Sequence, residues 1–219
     1  MKDGLLNRTL TSMVLGGFVK PWLFVDQAQE LLDYEGKYPT VEDQISGVTL
    51  RVPGVRTAGH WVLSMWELWI REPAADRYAI FQDDHVMCIN TKHYIERSTY
   101  PKDGYLNLYT FPGNETGKGW YPTVNQLGWS ATGLVFNRDA VQALFSHNYL
   151  MTRFTNSKRG HKSIDGGVVD AMRRVGYKEY VHSPSLLQHT GDVSSMGNKK
   201  QPVSQTFPGE DFDALELLK

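Results

Sequence analysis

The chain has 219 residues, 41% of them hydrophobic and 21% charged, which is enough for one substantial domain of ordinary globular composition. A formal net charge of −1 supplies no global attraction to nucleic acid or to an acidic membrane, and the single cysteine, Cys88, excludes an internal disulfide framework. No apolar run approaches the ~18 residues of a spanning helix and no basic-then-apolar leader opens the sequence, so a soluble, cytoplasmic protein is expected.

Leu5, Leu6, Leu10, Met13 and Val14 recur at helical spacing, and Gly16-Gly17 ends the run. A strand from Trp22 to Val25 stops at Asp26. Residues 28–46 are polar with weak periodicity, and Val48-Thr49-Leu50-Arg51-Val52 then alternates as a strand before Pro53-Gly54. Trp61, Leu63, Met65, Trp66, Leu68, Trp69 and Ile70 mark a helix that is apolar over much of its surface, which predicts burial; Pro73 stops it. Tyr78-Ala79-Ile80-Phe81 is a short buried strand that ends abruptly in Gln82-Asp83-Asp84. Its last residues belong at the carboxyl edge of a sheet, where open α/β folds place ligands. Side chains alternate along a strand, so one of Asp83 and Asp84 is placed to hold a ligand hydroxyl and the other to face a cation. The competing reading is a plain acidic turn.

Beyond this point Lys92 to Arg97 is a short helix and Gly104 to Tyr109 a strand. Residues 111–128 carry Gly113, Gly117, Gly119 and Gly128 with Pro112 and Pro122, the composition of a long loop. Ala131 to Phe136 is a strand, and Arg138 to Phe145 a helix begun by Asn137 as N-cap. Residues 152–163 are polar and basic. Ile164, Val168, Met172 and Val175 mark a further helix, capped by Ser163 and ended by Gly176. Ser185-Leu186-Leu187 is strand-like and is followed by His189. The segment after Ser194 is rich in Gly, Pro, Ser and Lys, which predicts loose packing. Strands alternating with helices predict an α/β architecture with a mostly parallel central sheet.

The segment Tyr78 to Asp84 resembles the acidic, metal-binding DxD-like motif of nucleotide-sugar-dependent glycosyltransferases of the GT-A fold, with Gln82 in place of the first acid. The resemblance continues in Leu5 to Met13 with Phe24-Val25-Asp26, in Gly128 to Phe136, in Ser163-Ile164-Asp165 and in Ser185-Leu186-Leu187-Gln188-His189. Its order is the specific feature, and it covers roughly residues 5 to 195. It implies a GT-A-like, mostly parallel central sheet flanked by helices, with a transferase domain at 1–195 and a loosely packed tail at 196–219. Compactness looks similar to bacteriophage or viral members of that family, which implies the host cytoplasm. One departure is that such enzymes begin with a strand before the first helix. Its absence implies either a truncated start or a nucleotide base held in another way.

The resemblance also implies roles. Asp84 would hold Mn2+ (or Mg2+), while Gln82 and Asp83 would contact the ribose or the transferred sugar of a nucleotide-sugar donor, a UDP-sugar being favoured. His189 would face the metal or the diphosphate; the competing reading is a core histidine bonded to a carbonyl, and His85 competes for the metal. Asp165 would be the general base of an inverting transfer, against a plain first-turn acid favoured by the helix dipole. Arg153, Lys158, Arg159, His161 and Lys162 would suit phosphate contacts, and Trp120, Tyr121 and Trp129 would offer stacking surfaces or fill the core. Asp170 reads as a surface residue. The acceptor would be a glycan or other small hydroxyl compound, or a hydroxymethylated base in DNA, the case of a DNA-modification enzyme. A catalytically inactive sugar- or nucleotide-binding module of the same fold is the alternative from another class.

Overall fold

Leu134 and Phe136 point to one side of a sheet and Val135 to the other, because successive residues of a strand alternate. All three are buried, so the strand they lie on, Gly133–Asn137, must be covered on both faces. A computed structural model describes residues 5–26, 44–150, 164–190 and 202–219. The helices and strands run α1 Leu5–Leu15, β1 Trp22–Asp26, β2 Gly47–Arg51, α2 Arg56–Arg71, β3 Arg77–Phe81, β4 His85–Met87, α3 Thr91–Arg97, β5 Gly104–Asn107, β6 Gly119–Pro122, β7 Gly133–Asn137, α4 Arg138–Ser146, α5 Ile164–Arg174, β8 Lys178–Ser183 and β9 Leu187–His189, with a closing 3-10 turn at Ala214–Leu218.

The central sheet has the order β3-β7-β5-β8-β6. Among the described residues only β5–β8 is parallel within it; β3–β7, β5–β7 and β6–β8 are antiparallel. The expected mostly parallel sheet is therefore a mixed one. No helix lies between β5 and β7 to carry the chain back across the sheet, so β7 enters from the opposite edge. Two small sheets stand beside it, parallel β1–β2 and antiparallel β4–β9.

Helices cover both faces. On one side Ala58, Trp61, Val62 and Met65 of α2, spaced three and four apart, pack with α4 and α5 on Tyr78, Ile80, Tyr105, Leu134 and Phe136. Phe136 stacks on Tyr105 at 4.9 Å between centroids. Leu63, Trp66 and Ile70 lie on the outer side of α2 and stay exposed, so that helix is buried along one stripe rather than all round. On the other side Leu6, Leu10 and Met13 of α1 meet Met87, Leu106, Val135, Leu186 and Leu187. No helix among the described residues is long and apolar enough to cross a membrane.

The segment expected to be a loosely packed tail differs over its last part. Residues 202–219 lie against the domain: the Glu115 carboxylate accepts the N–H groups of Gln205 at 2.6 Å and Thr206 at 3.1 Å, Asp213 bridges to Ile89, and Ala214 is fully buried. Composition predicted loose packing there, but Phe207, Phe212, Leu215 and Leu217 give the segment enough apolar surface to anchor it.

Candidate functional site

The acidic turn is pinned from three directions. Pairing of β3 with β7 continues one residue past the strand, since Gln82 N–H donates to Thr132 O at 2.9 Å. The chain then turns at Asp83-Asp84 and returns as β4. Thr9 of α1 lies under the turn, its Oγ1 2.9 Å from Asp83 O and 3.0 Å from His85 O, and it accepts His85 N–H at 3.2 Å. On the far side Thr190 N–H donates to Asp84 O at 2.8 Å.

That last contact follows from the β4–β9 register, which sets His85 opposite His189. The same register brings His189 Nε2 to 3.0 Å from Asp84 Oδ2, with side-chain exposures of 7% and 24%. Asp84 Oδ1 is buried and has no hydrogen-bond partner among the described residues. A buried carboxylate oxygen without a partner is costly. Carboxylate and imidazole together suit a divalent cation such as Mn2+, so these two residues fit the metal that the family resemblance implies. They form a pair only: among the described residues no three His, Cys, Asp or Glu side chains gather as a metal cluster, which would leave the remaining ligand positions to diphosphate oxygens and water. His85, the sequence competitor, is fully buried; its Nδ1–H donates to Gln82 O at 2.6 Å and its ring stacks on Phe81 at 5.2 Å. Burial pushes its pKa down to about 4. Asp83 is exposed and Gln82 half-buried.

Asp165 reaches the same edge of the sheet from α5. It occupies the first turn of that helix, and the backbone N–H of Ala131 lies close enough to its carboxyl to favour the charged form. Ala131 adjoins Thr132, whose carbonyl takes the Gln82 amide, so two consecutive residues before β7 connect Asp165 to the acidic turn. Burial pushes the Asp165 carboxyl up to about 6, although hydrogen bonds from its own N–H and from that of Ala131 pull the other way. Gly128 makes the approach possible. Its φ is +63°, and a Cβ there would lie 2.4 Å from Asp165 O and 2.8 Å from Val169 Cγ2. Gly128→Ala should therefore lower stability by about 1–3 kcal/mol through strain and steric clash, seen as a lower urea midpoint. An unchanged midpoint would mean that the loop is not seated on α5.

Beneath Asp165 lies an acid that the sequence reading did not single out. Glu179 of β8 is 2% exposed, with Tyr105 Oη at 3.3 Å and Asn107 Nδ2 at 3.1 Å from its Oε1. Burial, aided by the Asp165 charge, pushes its carboxyl up to about 7, against the hydrogen bonds from Asn107, Tyr105 and Thr123, which pull it down. The available signal was an acid alternating with Val181 in a short run after Gly176, but Glu179 and His182 are buried polar residues and mask the strand.

Other expected residues have structural partners. Trp120 packs against His182 at 4.8 Å and Tyr94 at 6.5 Å, Tyr121 donates its hydroxyl to Asn114 O at 2.6 Å, and Trp129 leans on Phe111 at 4.9 Å. Asp170 accepts the Tyr149 hydroxyl at 3.0 Å. Asn137 caps α4 as predicted, accepting Ala140 N–H at 2.7 Å. Arg153, Lys158, Arg159, His161, Lys162 and Ser163 lie outside the described residues.

No family model and no curated protein matches the chain. Among solved structures, it is similar to a protein assigned as a glucose-1-phosphate thymidylyltransferase of Bacillus anthracis, solved in complex with sucrose. The identity is 11% and the TM-score 0.51, over 84% of this chain and 76% of that one. A nucleoside-diphosphate-sugar pyrophosphorylase of Vibrio cholerae RC9 gives 12% identity and a TM-score of 0.47, over 83% of this chain and 81% of that one. The first likeness is one of fold: a mixed α/β domain whose central sheet is flanked by helices, compatible with the GT-A architecture. These two neighbours are sugar nucleotidyltransferase-type proteins, not glycosyltransferases, and neither carries the resemblance to phage or viral enzymes.

Proposed function

We propose that the protein is a metal-dependent, inverting glycosyltransferase that moves a sugar from a nucleotide-sugar, a UDP-sugar being favoured, to an acceptor hydroxyl. The observation that carries this reading is the convergence, on the short Ala131-Thr132 segment, of the acidic turn from β3 and of Asp165 from α5. Ligands of open α/β sheets sit at such strand ends.

Asp84 and His189 would hold the cation, which would neutralise charge growing on the departing diphosphate. Asp83, exposed beside that pair, and Gln82 are placed for ribose or sugar hydroxyls. Asp165 accepts the acceptor's hydroxyl proton on its carboxylate, whose basicity burial raises. The acceptor is a glycan or small hydroxyl compound, with a hydroxymethylated DNA base as the alternative.

One observation favours a second reading. The fold likeness to an assigned thymidylyltransferase suits transfer of a nucleotidyl group to a sugar phosphate. In that reaction the nucleophile is a phosphate oxygen that is already ionised, so no base is required; a carboxyl raised to about 6 at the site favours glycosyl transfer. The two are separated by following products with Mn2+ present. UDP released from a UDP-sugar supports the proposal, and pyrophosphate released only from a nucleoside triphosphate with a sugar 1-phosphate sinks it. A catalytically inactive binding module would bind UDP with Mn2+ and release neither product.

His189→Ala should weaken Mn2+-dependent UDP binding about 10–100-fold while the melting temperature of the unliganded protein stays within a few degrees. Unchanged UDP affinity at saturating Mn2+ would return His189 to a purely structural role.

A further inference from the structure

The main chain of His189 lies on the outer edge of a two-stranded sheet. Hydrogen-bonded and non-bonded pairs alternate along an antiparallel ladder, and at the two ends of this one Thr190 N–H donates to Asp84 O and Cys88 N–H to Leu186 O. His85 and His189, next to the first of those pairs, therefore face each other as a non-bonded pair, with the His189 N–H turned away from β4. Its acceptor is the Gln188 side chain, with Oε1 at 3.2 Å. The same carboxamide grips residue 204: Oε1 also accepts Ser204 N–H at 3.1 Å, and Nε2 donates to Ser204 O at 3.0 Å.

Ser204 has an anchorage of its own. Glu115 Oε1 accepts its hydroxyl at 2.8 Å and the N–H groups of Gln205 and Thr206 at 2.6 and 3.1 Å, and Tyr109 Oη donates to Pro202 O at 2.6 Å. Thr206 Oγ1 accepts the Ser185 N–H at 3.2 Å. Residues 202–206 are thus fixed to the chain between β5 and β6 independently of Gln188. The Gln188 oxygen has two lone-pair positions, and His189 N–H and Ser204 N–H take both. Turning the carboxamide away would unpair three main-chain groups at once, so its position is firmly set.

We propose that Gln188 and Glu115 are positioning residues for His189: Gln188 fastens the His189 main chain to Ser204, Glu115 holds Ser204 in place, and together they fix the imidazole at its 3.0 Å approach to Asp84. This inference rests on the reading of Asp84 and His189 as the cation pair. A group held in its binding geometry beforehand loses less freedom when the cation arrives, which is why the partners behind metal-binding side chains matter to affinity. The opposing account is packing alone. Leu186 and Leu187 are fully buried, and if they hold β9 without help, Gln188 and Glu115 contribute stability and leave the imidazole where it is.

The test is a long-range 1H–15N spectrum of the full chain labelled at its histidine rings, at one fixed pH without metal or nucleotide, in wild type, Gln188→Leu, Glu115→Ala and Asp84→Ala. Asp84→Ala marks where the His189 Nε2 signal falls once its carboxylate partner is gone. Leucine fills the place of Gln188 without its carboxamide. In Gln188→Leu and Glu115→Ala the signal should move about half the way to that mark or further, the Leu187 methyl signals should stay in place, and Mn2+-dependent UDP binding should weaken about 10-fold. If Gln188→Leu does not fold, Glu115→Ala supplies the same test alone. A His189 signal that stays unmoved, or that moves only together with Leu187, overturns the proposal, and so does unchanged UDP affinity where the wild type binds. The ring signal needs no ligand, so a shifted signal in a chain that binds no UDP with Mn2+ would uphold the fastening and remove the cation site. An unmoved signal in a chain that does bind would do the reverse.

Discussion

Asp165→Asn is expected to reduce sugar transfer by about 10²–10⁴-fold while leaving Mn2+-dependent donor binding intact, the ordinary contribution of a general base. The amide matches the carboxylate in shape, so the 126–131 segment and α5 should keep their places; what disappears is the proton acceptor. The competing reading, a first-turn acid favoured by the helix dipole, predicts a loss of at most about 1 kcal/mol in stability and near-normal turnover. Stability as a function of pH gives a second discriminator. The carboxyl sits at about 6 when folded against an ordinary 3.8, so the folded protein holds a proton that the unfolded chain releases. Stability therefore falls as pH rises from about 4 to 7. Asparagine lacks that penalty. The variant should be more stable than wild type by about 1–3 kcal/mol at pH 8, with no difference below pH 4. Near-normal transfer by the folded variant would leave the inverting mechanism without a base.

Asp84→Ala should abolish the joint stabilisation by Mn2+ and UDP. In the wild type each ligand alone should shift the melting transition little, and the two together, at about 100 times their dissociation constant, should add ~2.7 kcal/mol, because the cation would lie between Asp84 and the diphosphate. Alanine removes both the Oδ2 that faces His189 at 3.0 Å and the buried Oδ1. Asp84→Asn provides a control that can keep the contact with His189 while losing the charge. Both variants should melt like wild type when unliganded, within a few degrees, because α1 and β9 hold the turn through its main chain. Full metal-dependent stabilisation of either variant would remove Asp84 from the cation site.

Much of this was legible in the sequence, and for a common reason. α1, α2, α4 and α5 carry their apolar residues at intervals of three and four, and β3 and β7 bury residues on both faces, so period and burial coincide. The acid pair after β3, the N-cap at Asn137 and the acid in the first turn of α5 follow from local rules that need no partner. β6 escaped because it lies in the Gly- and Pro-rich 111–128 stretch that reads as a loop, and β4 and β8 because His85, Glu179 and His182 are buried polar residues: each interrupts the apolar pattern that marks a strand and is tolerated where it has a hydrogen-bond partner, nearby for His85 and distant in the sequence for the other two.

The sequence by itself determined the α/β class, the helices and most of the strands in their order, and the chemical types at the candidate site, since these depend on side-chain periodicity and on caps within a few residues. The tertiary structure decided the mixed direction of the central sheet, the packing of residues 202–219, the 3.0 Å approach of His189 to Asp84 across the β4–β9 register, and the burial of Glu179 behind Asp165. Those four features join residues from about 70 to more than 120 positions apart or depend on the path between distant strands. A ladder register or a buried acid becomes favourable only once its partner is in place, and a local pattern holds no record of that partner.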